Sequence, residues 1–130
     1  MMGTLSEVGR IKRIALRHPE QAFQNQEIID EQWRELNYIE RPLYSQAVIE
    51  YNKFVELLSR FGMKIDFLPF DEGLTLDSLY VRDATIISHK GVILCNMGKI
   101  QRKHEPVVAG KTFSAAGIPV LGAIKEPGQL

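Results

Sequence analysis

The sequence predicts an α/β domain in which helices lie over one face of short mixed sheets. Two observations carry that expectation. Apolar residues recur at spacings of three and four in some stretches and at every second position in others, so helical and strand periods alternate along the chain. The order helix, glycine, short strand also occurs twice, at Gly62-Met63 and at Gly117-Ile118, 55 residues apart. Such a recurrence marks either an internal repeat or two ordinary helix-to-strand junctions, which favour glycine.

Residues 11–16 read as the first strand, stopped by Pro19. Residues 20–41 are polar, with Trp33, Leu36, Tyr38 and Ile39 scattered among charges, and read as a loop holding one helical turn. A connection of that length inside a compact domain is often a binding loop or lid. A helix is expected after Pro42, because Val48, Tyr51, Val55 and Leu58, with Phe54 and Leu57 beside them, form an apolar stripe. Pro42 suits its first turn and Gly62 its left-handed end. Residues 63–68 alternate as a strand, and Pro69 and Gly73 punctuate the loop that follows. Residues 80–88 are expected to form the next strand, His89-Lys90-Gly91 a tight turn, and residues 92–95 the returning arm. Residues 102–116 repeat the helical pattern, with Pro106 near the start and Gly117 at the end, and residues 118–121 follow as a strand.

With 130 residues, 45% of them hydrophobic, the chain has the length and composition of one soluble domain. Sixteen basic and sixteen acidic side chains cancel to a net charge of zero. That balance argues against a protein built to hold nucleic acid or an anionic membrane. The apolar runs are far below the ~20 residues a spanning helix needs. The start, Met1-Met2-Gly3-Thr4-Leu5-Ser6-Glu7, lacks the basic then apolar order of a secretory signal. One cysteine, Cys95, excludes an intramolecular disulfide and a cysteine-rich metal site, so a cytoplasmic location is expected. Glu126-Pro127-Gly128-Gln129-Leu130 reads as a turn rather than an ending, and the chain is expected to be part of something longer.

Cys95 invites a nucleophilic reading, but it lies in an apolar hairpin arm, where free cysteine behaves as a small hydrophobe. His18, His89 and His104 show no ligand-like spacing, and are expected to be solvated rather than to hold a metal. The richer segment runs over residues 76–84 and enters a strand from a loop, a place where functional side chains concentrate. Asp77 and Asp83 are six apart, so in extended chain both carboxylates would share one side. Two convergent carboxylates accept the planar N–H fork of a guanidinium. The plainer alternative pairs Arg82 with Asp83 at the surface and lets Asp77 cap a turn. A second segment, residues 96–106, carries Lys99, Arg102 and Lys103 into a helix start. A cation there can hold a substrate carboxylate, arginine with the better grip. It can equally be a solvated helix start, though the helix dipole disfavours positive charge at that end.

Taken together, D-S-L-Y-V-R-D-A (77–84), G-V-I-L-C-N-M-G-K (91–99) and R-K-H-E (102–105) resemble the N-terminal half of the guanidino-group-modifying enzymes. That group is the pentein superfamily of dimethylargininases, arginine deiminases and amidinotransferases. The opening Glu7-Val8-Gly9-Arg10-Ile11-Lys12-Arg13-Ile14 is similar to their first strand, and the order and spacing of all four pieces agree. The resemblance implies a pentein-like α/β propeller fragment built of ββαβ modules, residues 1–130 making a single, incomplete domain of about two modules. It implies a cysteine that attacks the guanidinium carbon and an intermediate resolved by water or an amine, with no metal and no organic cofactor. By position, Asp83 matches the aspartate that binds the substrate guanidinium and Asp77 the acidic residue of the same loop in dimethylargininases. Arg102 matches an arginine that holds the substrate carboxylate, while Leu79 and Tyr80 would line the pocket.

The pattern also departs from the family. Dimethylargininases carry glutamate where Arg82 stands, whereas arginine deiminases have Arg-Asp, so the guanidine concerned stays open. Lys103-His104 replaces the second arginine and small residue expected after Arg102. A Glu-Gly-x-Asp stretch, a histidine and the cysteine nucleophile are expected beyond Leu130, which leaves substrate-binding residues but no covalent catalyst in this chain. The alternative is a natural short binding or assembly module whose unpaired strand edges favour homo-oligomers.

Overall fold

The computed structural model describes residues 9–128. The expectations placed on residues 1–8, a start without a secretory signal and the beginning of the first resembling segment, lie outside the described residues. So do those placed on Gln129 and Leu130.

Strand β1 (Arg13–Leu16) pairs in parallel with β2 (Lys64–Phe67), Arg13 opposite Lys64 and Leu16 opposite Phe67. Parallel neighbours need a long crossover. Three helices supply it here: α1 (Pro19–Ala22), α2 (Gln26–Gln32) and α3 (Tyr44–Arg60). The second sheet has three strands. β3 (Thr85–Ile87) runs antiparallel to β4 (Val92–Leu94), and β4 runs parallel to β5 (Val120–Ala123) across helix α4 (Glu105–Ala115). A parallel strand–helix–strand unit therefore occurs twice, as β1-α3-β2 and as β4-α4-β5. Both helices end on a glycine at positive φ, +75° at Gly62 and +82° at Gly117, where a side chain would be strained. The fold is mixed α/β with small sheets, as expected, and both sheets are open.

The first correction concerns residues 20–41, expected as a loop with a single helical turn. They contain α1, α2 and most of the larger apolar cluster: Ala22, Phe23, Ile29 and Leu36, closed by Leu76. The helices are short, so each depends on its cap. The Asn25 side chain accepts from the Ile28 N–H at 2.9 Å, and His18 Nδ1 accepts from the Glu20 N–H at 3.1 Å. His18 is thus not the solvated residue the sequence suggested. Its Nε2 meets Asn52 Oδ1 at 2.7 Å and its ring packs edge-on against Tyr51 and Phe67.

Other boundaries shift for local reasons. The helix expected from Pro42 begins at Tyr44, with Leu43 as its cap, and none of its residues is fully buried. Val48, Tyr51, Val55 and Leu58 reach half-burial. The strand expected over 80–88 shrinks to Thr85–Ile87, because Val81–Ala84 coils into a 3-10 turn. The second helix starts at Glu105, preceded by another 3-10 turn over Ile100–Arg102, and the last strand is displaced to Val120–Ala123. The tight turn stands as expected and explains Gly91. Its φ is +155°, and a Cβ there would lie 2.2 Å from the Pro119 carbonyl oxygen, which instead accepts from the Val92 N–H at 2.9 Å. No helix among the described residues is long and apolar enough to cross a membrane.

Candidate functional site

The site grows from the loop between β2 and β3. Two successive 3-10 turns, Leu76–Leu79 and Val81–Ala84, fold it back on itself. Buried polar groups must be satisfied locally, and two side chains from earlier in the chain do so. Gln32 accepts from the Leu76 N–H at 3.0 Å. Arg17, 2% exposed, donates from Nη1 to the Ser78 carbonyl at 2.9 Å and from Nε to the Pro69 carbonyl at 3.2 Å. Burial pulls the Arg17 pKa down, opposed by the nearby charges of Glu105 and Asp71.

This pinned loop presents two carboxylates, and each meets its own cation. Asp77, with 7% of its side chain exposed, is ion-paired with Lys99, whose ammonium also donates to the Leu36 carbonyl at 2.9 Å. Asp83 accepts from Arg102 Nη1 at 2.8 Å. Arg102 is in turn held by Glu105, which takes Nε and Nη2 on its two oxygens, both at 2.8 Å, while Nη2 also donates to the Tyr80 carbonyl at 2.9 Å. Glu105 is 1% exposed and Arg102 11%, so this fork lies in a poorly hydrated place. Burial disfavours the Arg102 charge, but the hydrogen bonds from Glu105 and Asp83 outweigh it and hold the pKa above its ordinary value. The cation at the helix start, at odds with the dipole of α4, is thereby compensated.

Tyr38 belongs to the same group. Burial first, then the neighbouring Asp77 and Tyr80, push its phenol well above the usual tyrosine range. A raised acid pKa in the folded chain contributes stability that is complete below about pH 10 and lost as the pH climbs past it. Urea midpoints measured near pH 9 and near pH 11 should therefore fall less in Tyr38→Phe than in the wild type. An equal fall in both would remove Tyr38 from this account.

The structure brings Asp77, Asp83, Tyr80 and Arg102 of the sequence-predicted residues into one neighbourhood. Leu79 turns away to the apolar side, lining a cleft of about 230 Å³ with Pro19, Phe23, Tyr51 and Phe54. Arg82 is exposed and makes no pair with Asp83, whose partner is Arg102. The even-spacing argument for Asp77 and Asp83 fails, because the chain between them is coiled rather than extended. Cys95 is 4% exposed, and burial followed by the Asp83 charge raises its thiol pKa, the opposite of an activated nucleophile. His104 bonds Asp71 at 3.0 Å, while His89 is exposed on its turn. Among the described residues no three histidine, cysteine or carboxylate side chains gather as a metal site would require. Sequence reasoning missed Glu105, Tyr38 and Arg17. The first had a signal, since a glutamate three positions after an arginine at a helix start faces it.

No family model matches the chain, and no curated protein matches it by sequence. Solved structures do match in fold. A dimethylarginine dimethylaminohydrolase is 24% identical, with a TM-score of 0.69 over 91% of this chain and 42% of its own. The Pseudomonas aeruginosa dimethylarginine dimethylaminohydrolase, crystallised with citrulline, is 22% identical, with a TM-score of 0.71 over 92% of this chain and 44% of its own. The N-terminal domain of a cyanobacterial arginine dihydrolase, bound to product, is 17% identical, with a TM-score of 0.70 over 91% and 41%. The chain spans less than half the length of these structures. They are guanidino-modifying enzymes of the pentein superfamily, and this chain shares the mixed α/β fold of the part of them that it matches.

Proposed function

We propose that this chain carries the guanidinium-binding side of an enzyme that acts on the guanidino group of arginine or a methylarginine. The observation that supports this best is Asp83. Its side chain is 45% exposed, yet it is fixed from behind by Arg102, which the buried Glu105 holds in place. A carboxylate oriented in this way accepts the N–H fork of a guanidinium. The exposed Tyr80 ring beside it offers a face to a cation. The two strand–helix–strand units are read as two ββαβ modules of a pentein-type propeller, and residues 1–130 as one incomplete domain. The solved structures with citrulline and with L-arginine bound support the substrate class. Zero net charge supports a protein without nucleic-acid or membrane partners.

In this reading a cysteine thiolate attacks the guanidinium carbon, an amine leaves, and water or a second amine resolves the adduct. Hydrolysis, deimination and amidino transfer share that first attack and part afterwards. The exposed Arg82 beside Asp83 keeps all three open. We assign the thiolate to a residue other than Cys95, which is buried with a raised pKa, and read both it and its histidine as lying outside these 130 residues. The pure chain is therefore expected to bind L-arginine and to release neither citrulline nor ammonia from it. Asp83→Asn should weaken binding at least about tenfold, yet leave the unfolding free energy from urea denaturation within about 0.5 kcal/mol, as befits a half-exposed ion pair. Turnover by the pure chain would overturn the placement of the catalyst, and unchanged binding in the variant would overturn the role of Asp83.

A second reading has one observation in its favour. Among the described residues the first sheet has only β1 and β2, so each strand has an unpaired edge. Pairing of copies through those edges would give a dimer in light scattering, and a strict monomer would count against it.

A further inference from the structure

We propose that α3 is the contact through which two copies of this chain pair, their helices antiparallel about a twofold axis beside Asn52. The first observation is how little of α3 the fold covers. Helices in globular proteins draw most of their stability from packing, yet none of the 17 residues of α3 is fully buried. Its half-buried stripe, Val48, Tyr51, Val55 and Leu58, is turned to the domain. A second stripe beside it is turned to solvent, where Leu43, Phe54, Leu57 and Phe61 are between 42% and 58% exposed. With Ala47 and Glu50, these positions follow one another at spacings of four, three, four, three and four residues. That is the mean period of 3.5 by which one helix packs along another. A sheet edge or a flat surface makes no such demand.

The charges decide which helix fits. Glu50 is the polar member of the seam and Lys53 flanks it, and Lys53 enters no ion pair among the described residues. A parallel pair in register would set Glu50 against Glu50, a like-charge clash. The antiparallel pair avoids it. Leu43 then lies opposite Phe61, Ala47 opposite Leu57 and Glu50 opposite Phe54, while Lys53 comes level with the partner's Glu50. Each copy thus supplies the cation that the other copy's seam lacks. It also brings its Phe54 level with the cleft of about 230 Å³ that Pro19, Phe23, Ala47 and Leu79 form beside Glu50, and that ring fills it. One helix face is smaller than the ~800 Å² per partner of a standard interface, so the dimer is a weak one, forming at about 1–100 μM.

Sedimentation equilibrium of the pure chain across that concentration range tests this. The wild type should pass from monomer to dimer. Leu57→Asp should weaken association at least about a hundredfold, because the axis repeats the lost contact. Ile49→Asp, at a position 55% exposed on the far side of α3, should leave association unchanged. Glu50→Lys and Lys53→Glu should each weaken it about tenfold, and an equimolar mixture of the two should restore it, since each doubly basic copy then faces a doubly acidic one. The mixture also separates a lost contact from a lost fold. A wild type that stays monomeric throughout the range, or a mixture no tighter than its components, overturns the inference. So does a dimer indifferent to Leu57→Asp, which would assign association to the unpaired edges of β1 and β2 instead.

Discussion

Replacing Arg102 by methionine is expected to cost about 3–5 kcal/mol of folding stability, a large part of what a small domain has. The loss does not come from Asp83, which is half-exposed and regains water. It comes from Glu105, which is 1% exposed and would be left as a buried carboxylate without a cation. The double variant Arg102→Met/Glu105→Leu removes both charges and should recover most of the loss, because exchanging a buried pair for apolar side chains is often close to neutral. Urea denaturation of the two variants measures the difference. Should the single variant lose less than about 1 kcal/mol, the fork would be an ordinary surface pair, and the rigidity ascribed to Asp83 would have no source.

Ile29→Ala is expected to cost about 2–5 kcal/mol, the usual range for emptying a filled core position. Ile29 is fully buried in α2, among Phe23, Leu36 and Leu76. Ile39→Ala provides the contrast. Ile39 is 97% exposed and its substitution should stay within about 0.5 kcal/mol. Both residues lie in the stretch whose sequence reads as a polar loop, so the pair of melts decides whether that stretch is a lid or part of the core. Equal and small losses would return it to a lid.

Those two isoleucines also show where sequence reading stops. Long regular segments were legible: the α3 stripe at helical spacing, the hairpin turn at Gly91, and the two helix-ending glycines each follow from a local rule. The helices α1 and α2 were not, because four and seven residues are too short to display a period. Their apolar residues are shared between a helix and the turn after it, as Ile29 and Leu36 are. At the site, Asp77, Asp83 and Arg102 stood out from chemistry and from resemblance to known segments. The sequence could not show which cation serves which carboxylate. That depends on two 3-10 turns, and on Arg17, some sixty residues earlier, holding the Ser78 carbonyl.

The two sheets differ in one respect that bears on how the chain acquires its structure. The β3–β4 hairpin closes across Ser88 and Gly91, a contact between close neighbours in sequence. β1 and β2 meet only after the whole crossover has been brought round, with Arg13 beside Lys64. Closing so long a loop costs more chain entropy than closing a turn, and non-local parallel pairing is slow for that reason. The hairpin is therefore expected to form early and the registration of β1 against β2 late, with Arg17 and the loop it tethers ordered after it; pulse-labelled amide exchange that protects Lys64 before Val92 would overturn that order.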